Sequence, residues 1–255
     1  VQQSNGYILA YTAGLTVACA LILALVSSGL KQKQEENVQL DMKKKILATV
    51  MTLEKGANMS EIYAKRVRSY IVDANGDVVK DLKPESQSSQ YVAEQYKQPV
   101  NNRKLPVYEI VSEADPNKSE YFVLPIYGYG LWNNISGYVA LEGDLSTIKG
   151  VKFDHVGETP GLGARIADEE IQSRYAGKKL FDGQNIVAVL MQKGENGGGE
   201  ASIAMFKDNA HAVDGMSGAT ITGKGVNNML LEYFQGCYKN FLQSRRKGTQ
   251  QASLN

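Results

Sequence analysis

The first charged residue in the chain is Lys31. Everything before it, Val1 to Leu30, is uncharged, and from Ile8 onward it is mostly Leu, Ile, Val and Ala, with Gly14 and Gly29. About 20 such residues cross a hydrocarbon core of roughly 30 Å. A helix in a soluble core is rarely so long and so evenly apolar, so this stretch limits the fold more than any other. A cleaved signal peptide has a shorter apolar region and a small-residue cleavage site, to which Val26-Ser27-Ser28 is a weak match. A lipoprotein signal needs a Cys at its end, and Cys19 is too far inside. The stretch predicts a retained single-pass anchor. The chain opens on Val1 with no Met, so its native start is expected upstream. Lys31 and Lys33 follow the span and by charge suggest a cytoplasmic side, but the positive-inside rule holds for short loops and not for a long domain. Charge leaves the orientation open.

The remaining chain is electrically balanced. Lys plus Arg number 28 and Asp plus Glu 27, which gives no reason to expect a nucleic-acid partner. Two cysteines, Cys19 and Cys237, without CxxC spacing make neither a zinc nor an iron–sulfur site. His155 and His211 stand alone in sequence and suggest no metal.

Helical periodicity returns from Lys31 to Leu53. Ile46, Leu47, Val50, Met51 and Leu53 fall on one side, so the anchor helix is expected to run on, with or without a break, into an amphipathic helix docked on a soluble domain. Ser60 is the expected cap of a short helix with Ile62, Tyr63 and Val67 inward. Asn75-Gly76 between apolar runs signals a hairpin, because both residues tolerate positive φ. Residues 81–98, polar and rich in Ser and Gln, read as a surface excursion. Strands are expected around 106–111, 121–126, 135–142 and 148–155, then a turn-rich loop, Gly157 to Gly163, before a helix over 164–175. Asn185–Gln192 reads as one apolar strand and Gly194 to Gly199 as a flexible loop. No GxGxxG lies between strand and helix, and there is no GxxxxGK[ST], which argues against Rossmann and P-loop folds. Strands in runs with helices at the ends predict an α+β domain. The expected organisation is an anchor over 1–30, a juxtamembrane helix over 31–58 and a soluble domain over 59–255.

Near the C-terminus Asp214-Gly215-Met216-Ser217-Gly218-Ala219-Thr220 leads directly into an amphipathic run. Val226, Met229, Leu230, Tyr233, Phe234, Cys237 and Phe241 recur at i, i+3, i+4, i+7, the mark of a helix with one buried stripe. Ser217 is the expected cap, and a helix start of this kind suits a phosphate because its N–H groups are unpaired. On local pattern alone, Thr220 reads as an ordinary first-turn residue.

Three stretches together closely resemble a known family: Pro125 to Trp132 with Gly137 to Leu141, His155 to Gly163, and Asp214 to Thr220. The family is the C subunit of the bacterial sodium-translocating NADH:quinone oxidoreductase, and the likeness spans nearly the whole chain. The Ser-Gly-Ala-Thr motif alone is shared with other flavinylated domains, including the G subunit of Rnf complexes; the Gly-Leu-Trp block favours the quinone oxidoreductase. The resemblance implies FMN joined through its phosphate to Thr220, with an FMN-binding region over about 120–235. It implies that Ser217, Gly218, Ala219, Leu131, Trp132, Glu158, Thr159, Gly161, Leu162 and Gly163 lie around the cofactor. It also implies a separate flavin transferase, partner subunits in a six-subunit inner-membrane complex, contact with the lipid bilayer, and a domain facing the periplasm. The chain would then carry electrons between redox centres rather than bind NADH or quinone. Asp214 is expected to serve transferase recognition or cap the turn, and Glu158 to line the flavin or hold its loop. Gly157 departs from the family pattern, which has a second acidic residue there. A scaffold or binding domain with Thr220 unmodified is the reading from a different class.

Overall fold

The computed structural model describes residues 4–54, 56–79 and 89–252. The chain divides into two compact units, Val1–Asp41 and Met42–Asn255. The first holds the larger part of helix α1, Asn5–Ala48, which runs 44 residues without a break. It is long and apolar enough to cross a membrane, and its side chains from Asn5 to Leu30 are exposed. The hydroxyls of Thr12 and Thr16 donate to the carbonyls of Ile8 and Thr12, at 2.7 and 2.8 Å. Both threonine hydroxyls of the apolar stretch are thus satisfied within the helix, as a hydrocarbon environment requires.

The second unit is built on a six-stranded antiparallel sheet. After α1 come α2, Met59–Arg66, and the hairpin of β1, Val67–Val72, with β2, Val78–Val79. Helix α3, Ser89–Tyr96, precedes the long strands β3, Leu105–Val111, β4, Ser119–Tyr129, β5, Asn134–Glu142, and β6, Ile148–His155. The order across the sheet is β2-β1-β3-β4-β5-β6. Period-2 alternation sends Leu105, Val107, Leu124, Ile126, Val139 and Leu141 to one face and Tyr108, Ile110, Val123, Tyr138 and Ala140 to the other. Both faces are covered, so the central strands read as near-continuous apolar runs. The end of α1 covers one face through Met42, Ile46 and Leu47.

The other face is covered by the C-terminal helices. Past β6 lie a 3₁₀ turn, Gly163–Ala167, and α4, Glu169–Ser173. Three short pieces follow: β7, Phe181–Asp182, β8, Asn185–Ile186, and β9, Leu190–Met191. Then come α5, Gly199–Met205, β10, Ala212–Val213, and α6, Thr220–Glu232. A π-helical turn, Tyr233–Cys237, leads to α7, Lys239–Ala252. The whole apolar stripe from Val226 to Phe241 is buried. Gly225 lets α6 lie directly on β4, because a Cβ there would stand 2.3 Å from the Tyr129 carbonyl oxygen.

Several local expectations are corrected. Asn58, not Ser60, caps α2, accepting from the Glu61 amide at 3.3 Å. Val67 closes α2, its amide donating to the Tyr63 carbonyl, and opens β1 in extended conformation. The excursion over 81–98 contains α3, whose Val92 is buried; residues 81–88 lie outside the described residues. The helix over 164–175 is a 3₁₀ turn and a five-residue helix separated by extended Asp168. The strand over 185–192 is two short pieces, with Ala188 between them at φ 58°.

Candidate functional site

Three sequence stretches meet at one carboxylate. Glu158, three residues past β6, is 4% exposed. One oxygen accepts from the amides of Trp132 at 2.9 Å and Asn133 at 3.4 Å, and the other from the Thr222 hydroxyl at 2.5 Å. The carboxylate thereby ties the loop after β4 to the first turn of α6. Neighbouring glycines make room for it: a Cβ on Gly130 or on Gly163 would stand 2.5 Å from a Glu158 oxygen. Burial, the largest single influence, pushes the Glu158 carboxyl up. The Thr222 hydroxyl and the amides of Trp132, Leu131 and Asn133 outweigh it and hold the group below its ordinary value.

A second set of buried charges fixes the segment leading to Thr220. Asp214 is 1% exposed. It accepts from the Asn196 amide and side chain, both at 2.9 Å, and from the Ser202 hydroxyl at 2.7 Å. The Asp214 carboxylate is enclosed and committed to α5 and the loop before it. It does not cap α6. Arg174, 2% exposed, donates to the Gly215 carbonyl at 2.6 Å and pairs with Glu195 at 2.7 Å. Arg165 grips the same Glu195 through both oxygens at 2.8 Å. The Arg165 hydrogen bonds are the main reason the Glu195 carboxyl drops to about 2. Glu195 in turn accepts from the Ser217 amide at 3.2 Å.

Above this support the motif turns outward. Ser217 and Gly218 are exposed, Ala219 is buried, and Thr220 is half-buried as the first residue of α6. Ser217 is not the cap: the cap position is Ala219, which offers no side-chain acceptor. The backbone N–H groups of Thr220, Ile221 and Thr222 meet no acceptor among the described residues. A helix start with unpaired amides matches the needs of a phosphate monoanion. Gly218 holds φ 70° in the turn, and the Leu162 side chain lies over it, 2.7 Å from where a Cβ would stand.

The site residues named from sequence separate into three groups. Leu131, Trp132, Thr159, Gly161 and Leu162 form an exposed rim, with Trp132 69% exposed, so large apolar surface is open beside the motif. Glu158 and Gly163 lie beneath that rim as its support, and Ala219 is turned inward. Thr220 faces about 200° around α6 from Thr222. It lines a cavity of about 170 Å³ with Met191, Met216, Gly223, Lys224 and Asn227. The unpaired amides, the half-exposed hydroxyl and the apolar rim fit a phosphate-linked planar ring. Sequence reasoning saw Thr222 only as the rival hydroxyl to Thr220, not as the partner of Glu158, and missed Arg174, Glu195, Asn196 and Ser202. Thr222 left a signal, standing four residues before Val226 on the buried stripe, and Arg174 another, four residues after Glu170.

Residues 130–235 match the family described as FMN-binding domain. The C subunit of the Na(+)-translocating NADH-quinone reductase of Haemophilus ducreyi is 35% identical over 230 residues, 86% of each chain. That of Pseudomonas aeruginosa is 33% identical over 258 residues, covering 91% of this chain and 96% of its own. The crystal structure of the corresponding reductase subunit from Parabacteroides distasonis superposes with a TM-score of 0.67 at 28% identity, covering 84% of this chain and 96% of that one.

Proposed function

The chain belongs to the family of C subunits of Na(+)-translocating NADH-quinone reductases, and we propose that it is a membrane-anchored electron carrier holding FMN covalently through Thr220. The observation that carries the attachment site is the contrast between two hydroxyls. Thr220 is half-exposed at a helix start with free amides, while Thr222 is 1% exposed and committed to Glu158. Bound FMN would supply a redox centre that takes up and gives off electrons one at a time.

The residues of the chain do the remaining work. The Thr220 oxygen anchors the phosphate, and the amides of Thr220, Ile221 and Thr222 stabilise the negative charge that the linkage keeps. Leu131, Trp132 and Leu162 would supply apolar surface for the ring, Gly161 would let it approach the backbone, Gly163 makes room for Glu158 beneath, and Thr159 and nearby N–H groups would meet the polar edge. Such donors tune a flavin rather than react with it. Glu158 serves as a positioning residue under the rim, with no proton-transfer role. A flavin transferase using FAD and a divalent metal would load Thr220. The anchor would occupy residues 1–30 and the juxtamembrane helix 31–58. The soluble domain, 59–255, would face the periplasm among partner subunits of a six-subunit inner-membrane complex. Alkaline phosphatase fused after Asn255 should then be active in cells; an inactive fusion of normal abundance would reverse the orientation.

The attachment is tested by co-expressing the chain with its flavin transferase and running a denaturing gel. A band fluorescing yellow-green under ultraviolet light is the expected result. A dark band from chain that is folded and present would return Thr220 to an ordinary helix residue and favour the scaffold reading.

A further inference from the structure

The small cavity beside Thr220 is walled by two cations, and we propose that Lys193 and Lys224 form an ammonium clamp for the phosphate carried on Thr220. This inference rests on the attachment site proposed above. Lys224 stands four residues after Thr220, so the two share one face of α6. Lys193 enters from the other wall, two residues beyond β9. The walls are held at a fixed separation by Asn227. Its side chain accepts from the Met191 amide at 2.7 Å and donates to the Met191 carbonyl at 2.8 Å, stitching β9 to α6. Gly223 lets Met191 close the floor, because a Cβ there would stand 3.1 Å from the Met191 sulfur.

Neither lysine has an ion pair among the described residues. Glu195, close to Lys193 in sequence, is already shared by Arg165 and Arg174. Two exposed lysines therefore border a cavity of about 170 Å³, their ammonium groups free to swing over its mouth. That is space for a phosphoryl group and the start of its chain, not for a three-ring system. The ring would lie outside it, toward the Leu162 rim. Like charges across a cavity repel, and an anion between them reverses the sign of that interaction. The lysines should therefore cost stability in the unmodified chain and return it once the phosphate is attached.

The experiment compares melting of the full chain in detergent, made with and without the flavin transferase, for wild type, Lys224→Gln and Lys193→Gln/Lys224→Gln. In wild type, flavinylated protein should melt above unmodified protein. Lys224→Gln should narrow that gap by about 1–2 °C and the double variant by about 2–4 °C, with the unmodified form unchanged or slightly more stable. Raising salt should narrow the wild-type gap and leave the double-variant gap alone. A role in folding alone would move both forms equally, and a gap untouched by either variant or by salt overturns the clamp. If wild type gains no covalent flavin at all, the attachment site itself is wrong, an outcome read on the gel before any melt is run.

Discussion

Chain carrying Thr220→Val should run through a denaturing gel with no flavin fluorescence, while Thr222→Val keeps the band. The two hydroxyls are only two residues apart in sequence, and the pattern Ser-Gly-Ala-Thr-Ile-Thr does not separate them. Their surroundings do. The Thr222 hydroxyl donates to Glu158 at 2.5 Å and is closed off from solvent, so a transferase could reach it only by breaking the turn. Thr220 borders an accessible cavity and is the first helical residue. Valine keeps the shape of threonine, so the Thr220 variant should fold and lose only its nucleophile. The Thr222 variant should keep its flavin and lose stability. A hydrogen bond to a buried carboxylate is worth about 1.5–3 kcal/mol, so its melting temperature should fall by about 3–12 °C. Ser217→Ala should leave both readings unchanged, since Ser217 contributes its backbone amide to Glu195 and is not the helix cap. A dark Thr222→Val band beside a bright Thr220→Val band would move the linkage to Thr222.

Sequence showed most where burial is simplest. The central strands β3 to β6 lie within a few residues of their expected positions, because each carries apolar residues to both covered faces. The buried stripe Val226 to Phe241 was legible in its 3.6-residue spacing, although the π-helical turn at Tyr233–Cys237 that interrupts it was not. Short elements were missed because their support comes from far along the chain. Helix α5 is held by Ser202 against Asp214, and α4 by Gln172 donating to the carbonyls of Phe153, Ile166 and Ala167. Phe153 stands 19 residues from Gln172 and Asp214 12 residues from Ser202, too far apart for local pattern to pair them. The same limit hid the second set of charges: Glu170 and Arg174 are an i,i+4 pair visible in sequence, but their meeting with Glu195 and the Gly215 carbonyl is tertiary. Resemblance identified the three stretches of the site. The geometry adds that Glu158 joins them and that Thr220 points away from the Glu158 side of the helix.

Removing the Glu158 carboxylate should loosen all three stretches at once. Glu158→Ala strands the buried Thr222 hydroxyl and the Trp132 amide, which both point at the missing oxygens. Deleting one partner of a buried charged network costs about 3 kcal/mol or more, a fall of at least about 6–12 °C in melting temperature. The single tryptophan of the chain reports the event directly, because Trp132 sits on the loop that Glu158 holds. Its fluorescence anisotropy should drop in Glu158→Ala and change less in Glu158→Gln, which preserves the shape and one acceptor. The sign of the pH dependence follows from the hydrogen bonds. The folded carboxyl is held below its ordinary 4.5, so its contribution is complete above that value and is lost as pH falls through the depressed folded one. Asp214 and Glu195 are depressed as well, so acid will destabilise the wild type through several groups together. The difference between wild type and Glu158→Gln isolates this one: it should be widest near pH 7 and shrink below about 4.5. A difference constant from about pH 7 to about pH 3, or an unchanged Trp132 anisotropy in Glu158→Ala, would mean that Glu158 merely fills space beneath the rim.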